Sequence, residues 1–139
     1  MAEIEINIPA TRRGITTALE RIEEFRAARN LSANQAARAL IVAEELISNT
    51  IKYGYQGECE RPVRLYLRAG RVLTLIYEDE AEPFDPTHWS HEEGASATRR
   101  EGREGRAGVD LVLGLSSSVT YECLPGGNRL TLTFEAETL

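Results

Sequence analysis

The chain is poor in the residues that usually announce a chemistry. It has two cysteines, two histidines, one tryptophan, one methionine and three phenylalanines in 139 residues. Cys59 and Cys123 lie far apart without a CxxC spacing and with only two histidines to help, so neither a disulfide framework nor a zinc site is suggested. Both are expected as reduced thiols, with Cys123 packed in a strand. No apolar run approaches the ~18 residues needed to span a bilayer, and the start MAEIEINIPA lacks the basic and apolar stretches of a secretion signal. A cytoplasmic location follows as an expectation. The net charge of −6 and pI near 5.0 oppose a main role on nucleic acid or anionic membrane, which would repel the chain at long range. A local basic cluster at Arg99, Arg100, Arg103 and Arg106 is the exception.

What remains is an apolar fraction of 42%, enough for one domain with a core, so residues 1–139 are read as a single unit. EIEINI, residues 3–8, alternates with Ile4, Ile6 and Ile8 on one side, the period of a strand with one buried face. Ile15, Ala18, Leu19, Ile22 and Phe25 recur at helical steps across 11–29. Ser32 and Gln35 fit a capping box opening a second helix that runs to Tyr53, with Gly54 as its left-handed terminator. Val63, Leu65 and Leu67 alternate, and Ala69-Gly70 turns the chain into VLTLIYED, a hairpin. SVTYECL and RLTLTFE form another, joined through Pro125, Gly126, Gly127 and Asn128. Between the hairpins, 86–108 carries little apolar periodicity and reads as a loop, with a short helix from GVDLVLGLSS. The order β, α, α, hairpin, loop, α, hairpin predicts an α+β two-layer sandwich, with helices on one face of a mixed, mostly antiparallel sheet.

The second helix poses the functional question. On a wheel at ~100° per residue, Glu45, Asn49 and Lys52 share a stripe opposite Ala36, Leu40, Ala43, Ile47 and Ile51. A polar stripe on a helix usually faces water. This one is bordered by Ile41 on one side and by Val42 and Leu46 on the other, a polar seam with apolar walls. A carboxylate, an amide and a lysine one turn apart can supply a base, a ligand for Mg2+ and a phosphate counter-ion. Asp79 shares the parity of Leu73, Leu75 and Tyr77, so it should face the helices, where a carboxylate can accept from the exocyclic amine of a base. A lone aspartate at a strand end is also a common turn former. GREGRAGV, 102–109, offers free N–H groups for phosphate if it opens a helix.

Taken in order, these stretches resemble the boxes of the Bergerat ATP-binding fold shared by gyrase, histidine kinases and anti-sigma-factor serine kinases, and within it the small single-domain anti-sigma kinases. EELISNTIKYGY matches the N box through Glu45, Asn49 and Tyr53. DEAEPFDP, Asp79–Pro86, is similar to the next box, with its Pro-Phe-Asp-Pro run around Phe84. GRAGVDL, Gly105–Leu111, is similar to the glycine box, and GGNRLTL to the last hairpin. The resemblance implies Glu45 as general base on a protein hydroxyl, Asn49 as the Mg2+ ligand, Asp79 as acceptor of the adenine amine and a lid over about 87–107. Gly105 and Gly108 would shape that lid, and Asn128, inward by parity with Leu130 and Leu132, would lie near the base.

It further implies ATP or ADP with Mg2+ as ligands, a STAS-type antagonist as phosphorylation substrate, a sigma factor or other regulatory protein as target, and a homodimer. Two positions depart from the pattern: Ala81 stands where the family carries glycine, and Arg106 replaces the first glycine of the lid motif. At positive φ, an alanine would cost about 1 kcal/mol or more and crowd the base, whereas Arg106 can reach a phosphate. The rival reading is therefore a non-catalytic binding module on the same fold. A third is an ATPase or histidine-kinase catalytic domain cut from a larger chain.

Overall fold

A computed structural model describes residues 2–29, 31–88 and 98–136. Five strands form one sheet in the order β1-β2-β3-β5-β4: β1 Ala2–Ala10, β2 Cys59–Ala69, β3 Leu73–Asp79, β4 Ser118–Leu124 and β5 Gly127–Phe134. All four pairings are antiparallel. The helices are α1 Arg12–Arg29, α2 Ala33–Asn49 and α3 Thr98–Leu115, giving the two-layer α+β architecture. Among the described residues no helix is long and apolar enough to cross a membrane.

Alternation builds the core as expected. Ile6 and Ile8 of β1, Val63, Leu65 and Leu67 of β2, Leu73, Leu75 and Tyr77 of β3, and Leu130, Leu132 and Phe134 of β5 are all buried. Ala18, Ile22 and Phe25 of α1 close over them with Ala39, Val42, Ala43, Leu46 and Ile47 of α2. Removing one such leucine from water contributes ~2 kcal/mol. The outer face of the sheet is polar. There Glu78 bridges Arg64 at 3.4 Å and Arg129 at 2.7 Å, while Arg129 reaches Glu122 at 3.3 Å, tying four strands through partly exposed pairs.

Four local expectations are corrected. Ser32 caps α2 by accepting from Gln35 N at 3.4 Å, but the Gln35 side chain does not return to Ser32. Instead, its Nε2 donates to Phe134 O at 2.8 Å, a buried bond to the end of the sheet that outcompetes the local partner. Gly54 does not end the helix in a left-handed conformation. After Asn49 the chain widens into a π-helical turn, Thr50–Gly54, closed by Tyr55 N donating to Thr50 O at 2.7 Å, and the positive φ falls on Gln56 and Gly57. Cys123 lies in β4, but that strand is a sheet edge and the thiol is exposed. Finally, α3 starts at Thr98, so GREGRAGV lies inside a helix rather than at its start. The remainder of the lid expected over 87–107 falls largely on 89–97, outside the described residues.

Candidate functional site

The end of β3 and the end of α2 meet over Asp79. Strand parity turns this carboxylate toward the helices, where it is only 8% exposed. Its Oδ1 accepts from Asn128 Nδ2 at 2.8 Å and from Ala81 N at 3.2 Å. Its Oδ2 accepts from the Thr50 hydroxyl at 2.8 Å. Two lone pairs on each oxygen leave Oδ1 saturated and one site open on Oδ2. Thr50 also lies 2.6 Å from the Tyr77 hydroxyl, which donates to Leu46 O at 3.1 Å. Burial pushes the Tyr77 phenol well above its ordinary pKa; the Asp79 charge adds to the shift, and the Thr50 bond opposes it.

This network underlies a pocket of about 620 Å³, a figure that includes space open to solvent. Leu46, Asn49, Thr50 and Tyr53 line it from α2 and the π-helical turn, and Tyr77, Asp79, Asn128 and Leu130 from the sheet. Phe84 and Pro86 come from the following loop, and Val109 and Val112 from α3. The walls are mostly apolar with a carboxylate in the floor, the composition expected of a site for a flat ring bearing a few polar edges.

The exit from β3 is held from the other side by Tyr55. Its hydroxyl donates to Pro62 O at 2.7 Å and accepts from Glu80 N at 2.8 Å. Burial, partly offset by the Glu80 bond, raises its pKa. Arg61 stacks 4.3 Å from the Tyr55 ring and donates to Glu80 O at 2.7 Å.

The structure thus brings Asn49, Tyr53, Asp79, Phe84 and Asn128 together around one cavity. Glu45, half-buried one turn before Asn49, sits beside them under α3. A Cβ built on Gly108 would stand 2.7 Å from Glu45 Oε2 and 3.2 Å from Asn49 Nδ2. Lys52 is not brought in. It is exposed, because the wider π-helical turn breaks the ~100° phase on which the stripe was drawn and gives the pocket side to Tyr53. Ala81 is buried, its φ is not positive, and its methyl faces Gly54, where an added Cβ would come within 2.9 Å of it. The methyl therefore leaves the cavity unobstructed. Gly105 and Arg106 belong to the α3 backbone, and their surroundings lie outside the described residues.

Sequence reasoning missed Thr50 and Tyr77 as polar members of the site. Tyr77 shares the parity of Asp79, and Thr50 follows Asn49 directly; a hydroxyl on each, next to a carboxylate headed inward, was the available clue. Leu46 was expected as a wall of the polar seam and Val109 as the end of GREGRAGV, whereas Val112 and Leu130 carried no site reading.

A model of the histidine kinase-like ATPase domain matches residues 8–134. A crystal structure of the RsbU and RsbW domains of a Mycobacterium tuberculosis protein superposes with a TM-score of 0.68 at 14% identity, covering 97% of this chain. The chain spans 32% of that protein's resolved chain. The SiaB–SiaC complex from Pseudomonas aeruginosa gives a TM-score of 0.62 at 15% identity, covering 94% of this chain and 88% of the other. No curated protein matches at a significant level. At these identities the two structures speak to the fold, while the match over 8–134 speaks to the family. The chain belongs to the histidine kinase-like ATPase domain family.

Proposed function

We propose that the protein binds Mg-ATP and works as a serine/threonine protein kinase of the anti-sigma regulatory type, phosphorylating a STAS-type antagonist in a partner-switching system. One observation carries this reading: a buried carboxylate with an open acceptor site in the floor of an apolar pocket, and Glu45 with Asn49 at one side of that pocket beneath Gly108. The residues fit the ligand. Asp79 Oδ2 can accept from an exocyclic amine, and the apolar walls suit a purine ring. Among the described residues no cluster of His, Cys, Asp and Glu side chains forms a metal cage. A divalent ion here would rely on the Asn49 amide oxygen and on ligand phosphates, the mode that Mg2+ favours.

In this reading Asn49 would hold Mg2+, which would supply neutralisation of phosphate charge, and Glu45 would accept the proton of the substrate hydroxyl as its oxygen bonds the γ-phosphorus and the bond to the departing ADP breaks. Gly108 would let the α3 backbone approach the phosphates, the role that the resemblance also gives to Gly105. Catalysis then rests on positioning and charge neutralisation more than on covalent chemistry. The similar structures include an RsbW domain and a SiaB–SiaC complex, which supports a protein partner here. A sigma factor or other regulatory protein as target, a homodimer and a cytoplasmic location belong to the same proposal. The rival, a binding module without transfer activity, leaned on Ala81 and Arg106; with the Ala81 methyl on Gly54, Arg106 is what remains for it. Incubation with labelled ATP and a STAS-domain protein separates the two: label on a serine or threonine supports the kinase, and stable docking without label supports the module.

A further inference from the structure

The resemblance places Asn128 near the base, but its amide has no capacity left for a ligand. Nδ2 carries two hydrogens and faces three acceptors: Asp79 Oδ1 at 2.8 Å, Glu82 O at 3.1 Å and Ala81 O at 3.2 Å. Oδ1 has two lone pairs and two donors, Phe84 N at 3.0 Å and the Tyr121 hydroxyl at 2.5 Å. The orientation of the amide is determined by its partners. The Phe84 N–H can only donate, so the oxygen must face it; an ionised Asp79 can only accept, so the nitrogen must face that side. The residue is 7% exposed, so water offers little replacement for these bonds.

We infer that Asn128 is the positioning residue of the pocket, acting on a ligand only through Asp79 and Phe84. One side chain on β5 fixes the carboxylate in the floor and also the path of 81–84, which carries Phe84 into the wall. Holding Oδ1 leaves the open acceptor on Oδ2, so Asn128 sets how well the site distinguishes a base with an exocyclic amine from one with a carbonyl at the same position. Tyr121, on the edge strand β4, holds Asn128 from the far side.

This inference rests on the nucleotide reading above, and one calorimetric experiment tests both. ADP and inosine diphosphate, which carries a carbonyl in place of the amine, are titrated into the wild-type protein, Asn128→Ala and Tyr121→Phe, with a thermal melt of each. The wild type is expected to prefer ADP by at least about tenfold, the worth of one well-placed hydrogen bond to a charged group. Asn128→Ala should melt cooperatively and lose most of that preference, and Tyr121→Phe should lose part of it. A folded Asn128→Ala that keeps the full preference overturns the inference and leaves the nucleotide site standing. If Asn128→Ala does not fold, Tyr121→Phe decides: a reduced preference supports the inference and an unchanged one overturns it. A wild type that binds neither nucleotide overturns the reading beneath it as well.

Discussion

Gly108 of α3 packs directly on the Glu45 carboxylate: a methyl group there would lie 2.7 Å from Oε2. The atom in the way is the end of a flexible side chain, so Gly108→Ala need not harm the fold. Replacing glycine within a helix even gains up to ~1 kcal/mol of propensity. On the proposed kinase reading the expected outcome is a split: a melting temperature unchanged or raised, with phosphotransfer reduced by up to about 10²-fold because Glu45 is displaced. A melt and a rate measurement on the same preparation check it.

Gly127 presents the opposite case. A Cβ there would stand 2.2 Å from the Asp79 carbonyl oxygen, a backbone atom held in the β3–β5 ladder. Gly127→Ala should cost ~1–3 kcal/mol as overpacking and disturb Asp79 at the same time. Gly126, with φ of 80° and nothing near it, should cost less on substitution, from backbone conformation alone. Urea unfolding of the two variants side by side gives the order.

Thr50 donates to buried Asp79 and meets the Tyr77 hydroxyl. Thr50→Val keeps the shape and removes the hydroxyl, leaving a buried carboxylate short of one donor. A loss of ~1–3 kcal/mol in urea is expected, with Thr50→Ser recovering most of it.

The Tyr77 phenol sets an alkaline limit. Its pKa is raised in the folded state by burial, so above the ordinary value of 10.0 the unfolded chain loses this proton first. Fewer protons on the unfolded state make stability fall with rising pH, on the order of 1 kcal/mol per pH unit, until the folded phenol also ionises. The contribution is complete below pH 10 and is lost above it. Tyr77→Phe should be less stable near neutrality, where it lacks the bond to Leu46 O, and should show a shallower decline above pH 10.

Much of this was readable from residue order because it depends on short-range periodicity. Alternation in EIEINI and VLTLIYED placed the strands, and the same parity sent Asp79 and Asn128 inward. The helical period located α1 and α2. What escaped depends on contacts between distant residues or on backbone bonds that leave no periodic trace. The π-helical turn follows from Tyr55 N reaching back to Thr50 O, and it moved Lys52 out of the stripe. Gln35 forsook its capping box for Phe134 O, far along the chain. Gly102, Gly105 and Gly108 made the first half of α3 read as loop, since glycine disfavours helix interiors. Ala81, a departure by sequence, is accommodated because Gly54 leaves room for its methyl.

The cavity between Asp79 and Asn49 is proposed to hold a magnesium-bound adenine nucleotide. The most direct test is calorimetric titration of Mg-ATP and Mg-ADP into the wild type and Asn49→Ala. Saturable binding by the wild type, weakened about tenfold or more for Mg-ATP by the substitution, is the predicted result. No binding at millimolar nucleotide, or equal binding by both proteins, would contradict it.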